Sequence, residues 1–244
     1  MSNMEVLEKR PSILVVDDEE PIRSALATLL ARAGFAVRTA ADGAMALTLV
    51  QSNCPDLILL DVVLDETSGS GISGLDVLRK VRTLDQFVPV IMLTSYAEWQ
   101  VESLGQGAIA FVTKPWDANA LISQIRATLG AVVRIREDAL RAKETASHVL
   151  KVHDVDIDTV HLRVFRGGHE IDLTPLEFAL LAFLARSPNR EWTREQLLDQ
   201  VWGYEWVGYP RTVDRHVASI RRKLHLGHDE LIETVHNIGY RLIP

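Results

Sequence analysis

The sequence predicts an N-terminal α/β domain with a doubly wound parallel sheet over residues 11–130, and a second, α+β domain over residues 149–244. Three observations predict this. The 244 residues exceed the ~100–200 of a single domain. The first half alternates short apolar, β-branched runs with longer segments of helical period, the mark of βα units around a parallel sheet. Past residue 149 the pattern changes to short alternating stretches, three helical segments and a closing hairpin.

In the first half, strands are expected at Ile13–Asp17, Ala36–Thr39, Leu57–Asp61, Val90–Thr94 and Ala110–Thr113. Pro21–Ala33 places Ile22, Leu26, Leu29 and Leu30 on one helical face, and Gly34 stops it. Ala44–Gln51, Leu75–Val81, Gln100–Gly105 and Ala118–Leu129 supply the other helices, giving a flavodoxin-like arrangement. Residues 131–148 hold mixed charge and neither Gly nor Pro, so they are expected to extend the last helix as a semi-rigid linker.

In the second half, Val149–Ile157, Leu162–Arg166 and Glu170–Leu173 read as antiparallel strands, with Gly167-Gly168 as a turn. Thr174, Pro175 and Glu177 form a capping box that starts helix Pro175–Arg186. Thr193 with Gln196 caps Thr193–Trp202; helix Thr212–Leu224 and a hairpin of Leu231–Val235 with Tyr240–Ile243 follow.

Composition excludes several classes. Hydrophobic residues make up 47% and charged residues 24%, which is too apolar for a disordered chain. The longest apolar runs fall far short of the ~20 residues of a membrane span, and residues 1–12 lack a signal-peptide core, so a cytoplasmic protein with no membrane partner is expected. The single cysteine, Cys54, suits a reducing compartment and is expected to be a small buried or half-buried side chain. Net charge is −7, yet Arg211, Arg215, Arg221, Arg222 and Lys223 cluster on one short segment whose only acid is Asp214.

Ligands of open parallel sheets gather beyond the carboxyl ends of the strands. Asp17 and Asp18 close the first expected strand, Asp61 the third and Thr94 the fourth, and Lys114 follows the fifth. Three carboxylates converging there require a cation, and an oxygen-only donor set favours a hard ion such as Mg²⁺. A carboxylate beside Mg²⁺, with an ammonium and a hydroxyl opposite, has the parts for aspartyl-phosphate chemistry.

ILVVDDEE (Ile13–Glu20), LILLD (Leu57–Asp61), VIMLTS (Val90–Ser95) and FVTKPW (Phe111–Trp116) resemble the signature segments of two-component receiver domains. The resemblance implies Asp61 as phosphoacceptor, and Asp17, Asp18, Asp61 and the Val63 carbonyl as Mg²⁺ ligands. It implies Thr94 and Lys114 as phosphoryl-binding groups, Phe111 as a switch aromatic, a cis Lys114–Pro115 bond, and Val63 and Tyr96 as positions that set phosphoryl lifetime. The chain departs from the family after Asp61, where Asp65 takes the usual Pro position and Gly74 lies thirteen residues on instead of eight. Thr94 and Lys114 are also two positions closer than usual. Ile109, Ala110 and Ala120 stand where the subfamily carries acidic residues of its dimer face, although Arg126 is present.

Thr212–Leu224 presents Val213, Val217, Ile220 and Leu224 on one face and Arg215, His216, Ser219, Arg222 and Lys223 on the other, a form suited to a major groove. Leu173–Gly203, Arg211–Leu224 and Ile232–Leu242 resemble the winged helix-turn-helix output domain of OmpR/PhoB-type response regulators. By that resemblance Arg211, Thr212, Arg215, His216, Ser219, Arg222 and Lys223 contact DNA from a recognition helix, and His236 and Arg241 from a wing. The same resemblance makes Trp202–Pro210 a loop that meets RNA polymerase. His236 stands where the family typically has Arg, which implies a weaker or pH-sensitive wing contact. Trp192 and Trp202 are expected in the core.

The expectation is therefore a transcription regulator, not an enzyme in the usual sense. A sensor histidine kinase phosphorylates Asp61 with Mg²⁺, and phosphorylation controls homodimer formation and binding to promoter DNA. The alternative is a phosphorylation-independent DNA-binding regulator with an atypical receiver. A phosphatase acting on small phosphoesters through Asp61 leaves the winged helix unexplained.

Overall fold

The computed structural model describes residues 10–64, 72–85, 87–95, 106–143, 148–203, 211–227 and 230–244. Five parallel strands, β1 (Ser12–Val16), β2 (Ala36–Ala40), β3 (Leu57–Asp61), β4 (Val90–Thr94) and β5 (Ala110–Thr113), form a sheet in the order β2-β1-β3-β4-β5. The order doubles back at β1, so connections leave on both faces and the strand ends open a crevice beside β1 and β3.

Helices α1 (Glu20–Arg32), α2 (Gly43–Ser52), α3 (Gly74–Leu84) and α4 (Ala118–Ala142) flank the sheet. The alternation of side chains along each strand sorts the core into two layers. Ile13, Val15, Leu57, Leu59, Ile91 and Leu93 meet Leu26 and Leu30 of α1 and Leu121 and Ile125 of α4. Leu14, Val16, Ile58, Leu60, Val90 and Met92 meet Ala46 and Val50 of α2 and Leu78 and Val81 of α3. Both faces are covered, which is why the strands read as unbroken apolar runs.

Pro21 starts α1 at its first turn, and Asp42, Ser73 and Asp117 accept backbone N–H bonds at the starts of α2, α3 and α4. α4 runs 25 residues without a break, so its second half carries Ala131, Val132, Ile135 and Ala139 past the sheet and buries them. The expected helical linker is thus continuous with the last helix of the N-terminal domain as far as Ala142. The expected helix Gln100–Gly105 lies outside the described residues, as do Tyr96 and residues 65–71.

The C-terminal part opens with an antiparallel sheet of β6 (Val149–Val152), β7 (Val155–Asp158), β8 (Arg163–Arg166) and β9 (His169–Ile171). The single strand expected over Val149–Ile157 is two, because His153 adopts a positive φ of 51° and turns the chain there. Helices α5 (Pro175–Ala185), α6 (Arg194–Val201) and α7 (Arg211–Lys223) follow, with the short β10 (Trp192–Thr193) ahead of α6. β10 was not legible as a strand; it pairs with β12 (Gly239–Leu242), which also pairs with β11 (Ile232–Val235). A Cβ on Gly239 would stand 2.1 Å from the Trp192 carbonyl, so only glycine permits that approach. Trp202 is fully buried and Trp192 nearly so, as expected. Cys54 is exposed, contrary to the expectation, because it falls in the turn before β3 and outside both core layers.

The two parts share one apolar core along α4. Arg134 donates to the Trp202 carbonyl at 2.9 Å. The Phe87 ring, ahead of β4, lies 6.4 Å from that of Phe178 on α5.

Candidate phosphoacceptor site and nucleic-acid interface

The acidic site forms where β1, β3, β4 and β5 end. Asp17 is fully buried and Asp61 nearly so, and carboxylate oxygens of Asp17, Asp18 and Asp61 lie within 4.8 Å of one another. Lys114 Nζ reaches Asp17 Oδ2 at 2.9 Å and Asp61 Oδ2 at 2.5 Å, so one ammonium bridges two buried carboxylates. Burial pushes the Asp61 carboxyl up to about 6; Lys114 pulls it down and the Asp17 charge adds to the rise. Burial works against the Lys114 ammonium, but its bonds to Asp61 and Asp17 outweigh that and raise its pKa.

Local structure fixes these groups. The Glu19 amide donates to Asp17 Oδ1 at 2.9 Å, and Arg23 Nη1 on α1 donates to the carbonyls of Asp17 and Asp18 at 2.7 and 3.2 Å. The Val63 amide donates to Asp61 Oδ1 at 3.2 Å. Gly74 opens α3 directly against β3: a Cβ there would stand 1.9 Å from the Asp61 carbonyl oxygen, and the Gly74 amide donates to the Val62 carbonyl at 3.2 Å. The displaced glycine noted in the sequence therefore still packs against the strand that ends at Asp61. Thr94 is buried at the end of β4, and the Lys114–Pro115 peptide is cis.

The donor set fits Mg²⁺. It is all oxygen, it carries three carboxylates on a crevice at the strand ends, and no sulfur or imidazole intrudes among the groups that cluster there. Asp17, Asp18 and Asp61 would hold the ion, and the half-exposed Val63 stands beside them with its carbonyl as the expected further donor.

In the second candidate site, α7 buries Val213, Val217 and Ile220 and keeps Arg211 and Arg222 exposed. The expected basic face is narrower than the sequence pattern suggests. His216 and Ser219 are 3% and 5% exposed, not on the open side, because a thirteen-residue helix packed between two neighbours hides more than one stripe. The His216 ring meets Trp202 edge-on at 4.9 Å, and its Nδ1 bonds the Thr212 carbonyl at 2.9 Å. Lys223 Nζ bonds Glu177 Oε2 at 2.7 Å. Glu177 is 2% exposed; burial alone would raise its carboxyl, yet Lys223, Ser219 and the Thr174 amide hold it below the usual range.

Arg221 is occupied within the fold, donating to the Ile232 carbonyl and to Thr234 Oγ1 at 2.9 Å. Asp214 accepts from Arg194 Nε at 2.6 Å and from the Tyr240 hydroxyl at 2.7 Å, which ties α6, α7 and β12 together. His236 is exposed in the β11–β12 turn. Arg241 pairs with Glu233 and, at 3.4 Å, with Glu191.

Sequence reasoning missed three contributors. Glu177 was visible only as a capping residue, where it does bond the Thr174 amide at 2.7 Å, but its second role under α7 depends on a partner 46 positions away. Arg23 and Arg134 gave no signal beyond ordinary charged helix positions. The expected polymerase-facing loop lies largely outside the described residues.

Known proteins resemble both halves of the chain. A response regulator receiver domain model matches residues 13–126, and a model described as transcriptional regulatory protein, C terminal, matches residues 168–242. The DNA-binding response regulator MtrA of Mycolicibacterium smegmatis is 38% identical over 239 residues, covering 96% of this chain and 98% of MtrA. The transcriptional regulatory protein CseB of Streptomyces coelicolor is 38% identical over 236 residues, covering 94% and 97%. Solved structures of two RitR mutants superpose with TM-scores of 0.75 and 0.76 at 26% and 27% identity, covering 95% of this chain and 98% of theirs. A receiver-type parallel sheet with its acidic crevice, followed by a winged-helix output domain and matched over nearly its whole length by such relatives, makes this chain a member of the OmpR/PhoB-type DNA-binding response regulators.

Proposed function

We propose that the chain is a phosphorylation-controlled transcription regulator in which Asp61 accepts a phosphoryl group from the phosphohistidine of a sensor histidine kinase. The observation that carries this reading is the Lys114 ammonium bridging Asp17 and Asp61 inside a three-carboxylate cluster. An Asp61 carboxylate oxygen attacks phosphorus; the new P–O bond forms as the P–N bond to the donor imidazole breaks, and that imidazole takes up a proton. Lys114 and Thr94 hold the transferred oxygens, with the side chains of Asp17 and Asp18 beside them. Bound Mg²⁺ supplies charge neutralisation at the phosphoryl oxygens.

Residues 11–130 act as the receiver, residues 131–148 as the linker and residues 149–244 as the DNA-binding unit. Arg211, Thr212, Arg215, Arg222 and Lys223 of the recognition helix, with His216 and Ser219 after local rearrangement, approach promoter DNA, while His236 and Arg241 serve the wing. Phosphorylation favours a homodimer on DNA that engages RNA polymerase in the cytoplasm. Among the described residues no helix is long and apolar enough to cross a membrane.

A test is fluorescence anisotropy of duplexes enriched by in vitro selection with the full chain, titrated with and without acetyl phosphate and Mg²⁺. Affinity is expected to rise by about 5–150-fold, the range of typical allosteric coupling. Equal binding in both conditions contradicts phosphorylation control. It would support the second reading, a phosphorylation-independent regulator, which is favoured by Ile109 and Ala110 being buried and apolar where the subfamily carries acids.

A further inference from the structure

A pair of metal-ligating side chains lies outside the acidic crevice, where the chain enters the C-terminal unit. The imidazole rings of His148, one residue ahead of β6, and His161, in the turn between β7 and β8, meet at 6.2 Å between centroids with their planes 72° apart. The backbone fixes both positions. The Thr159 amide and hydroxyl each donate to the His148 carbonyl at 2.8 Å, and the His161 amide donates to Asp158 Oδ1 at 2.9 Å. Leu162 then closes the turn at a φ of 56° and packs its side chain on the core.

Asp158 sets what His161 can do. Its Oδ2 stands 2.8 Å from His161 Nδ1. Burial opposes the Asp158 charge, yet the His161 amide and ring and the Val160 amide hold its carboxyl below the usual range. An ionised carboxylate only accepts, so Nδ1 carries the proton. The Nε2 lone pair of the neutral ring is then left open, on a side chain that is 63% exposed. A carboxylate bonded to one ring nitrogen is the arrangement that orients a histidine toward a metal at the other and raises its basicity. Two imidazoles sharing one ion through Zn–N bonds of about 2.0–2.1 Å have ring centres roughly 5–6 Å apart. Rotation of the two side chains is enough to bring the observed rings to that span.

We infer that His148 and His161 together bind one divalent transition ion of the Zn²⁺ class, with Asp158 orienting His161 and water completing the coordination. Nitrogen donors select such an ion over Mg²⁺, whereas the crevice at Asp17, Asp18 and Asp61 offers oxygen alone and favours Mg²⁺. The two sites therefore differ in the ion that each selects. An ion held by His148 and His161 ties the entry of the C-terminal unit to the turn after β7, joining residues thirteen positions apart. The site needs neither a phosphoryl group nor DNA, so it stands independently of the proposed function.

Calorimetric titration of the full chain with Zn²⁺, in excess Mg²⁺, tests this. The native chain and His169→Gln, which removes an exposed imidazole on β9, are expected to bind with the same affinity. His148→Gln and His161→Gln are each expected to abolish that binding, and Asp158→Asn to weaken it by about 10–100-fold, the usual effect of losing an orienting carboxylate. Zinc K-edge absorption on the loaded native chain, which needs no variant, is expected to show two imidazole nitrogens. A shell of oxygen alone, no uptake by the native chain, or native affinity in His148→Gln or His161→Gln would overturn the site. An equal loss in His169→Gln would overturn it too. Loss in Asp61→Asn with uptake kept in the His148 and His161 variants would place the ion in the acidic crevice and overturn it as well.

Discussion

The Lys114 ammonium stands 2.5 Å from Asp61 Oδ2, where two strands that both pair with β4 bring together residues 53 positions apart in the chain. The contact balances a carboxylate that would otherwise sit buried beside Asp17. Replacing Lys114 by Met leaves two carboxylates facing each other, and lost charge-assisted bonds of this kind cost about 1.5–3 kcal/mol each before any relief by a bound cation. Thermal melts should show Lys114→Met destabilised in chelator, with Mg²⁺ raising Tm more in the variant than in the native chain. An equal Mg²⁺ response in both would contradict the role given to Lys114.

Gly74 offers a steric prediction at the same site. A methyl group there meets the Asp61 carbonyl at 1.9 Å, so either α3 or the end of β3 must move. Gly74→Ala should lower stability by about 1–3 kcal/mol, the usual cost of overpacking, and slow Asp61 phosphorylation. Gly34→Ala serves as a contrast because open space surrounds that position, although its φ of +95° adds backbone strain alone. Urea midpoints and phosphorylation rates together distinguish the two: only Gly74→Ala should affect the rate.

The buried Glu177–Lys223 pair predicts an asymmetry. Lys223→Met strands a carboxylate that is 2% exposed, whereas Glu177→Gln leaves an ammonium that can still reach solvent. The first should cost up to about 3–5 kcal/mol and the second clearly less, measured by chemical denaturation at pH 7. The reverse order would mean that the pair is not buried as described.

Two buried groups produce declines on the acid side of the stability profile, while Asp61, whose carboxyl is pushed up to about 6 in the folded chain, takes up its proton there first and opposes the upper one. His216 is driven below its ordinary pKa by burial, so the folded chain keeps it neutral while the unfolded chain takes up a proton below about 6.5. Stability therefore falls as pH drops through that value and levels off below the folded pKa. Glu177 has the opposite origin: its folded pKa is depressed, so its contribution is present above the unfolded value of about 4.3 and lost as pH falls through the folded one. Denaturation midpoints between pH 8 and 3, measured in an Asp61→Asn background that removes the opposing titration, should show two declines, with His216→Phe removing the upper one only.

Much of the fold was legible because its signals are local. The receiver strands are apolar on both faces, and each acidic or phosphoryl-binding residue follows such a run directly, so Asp17, Asp61, Thr94 and Lys114 could be placed together before any coordinates. Caps at Thr174 with Glu177 and at Thr193 with Gln196 likewise depend on residues three apart. What escaped depends on distance in the chain. β10 exists because Gly239 lets Trp192 approach, His153 splits a strand by its positive φ, and the covering of His216 and Ser219 needs elements that no periodicity in α7 reveals.

The central claim is that Asp61 is a phosphoacceptor governed by this acidic crevice, and intact-mass spectrometry tests it most directly. The native chain and Asp61→Asn are incubated with acetyl phosphate and Mg²⁺, with chelator as control. The account predicts one added phosphoryl group on the native chain, none on Asp61→Asn and none in chelator. Addition to Asp61→Asn at the native rate, or addition that survives removal of Mg²⁺, would contradict it.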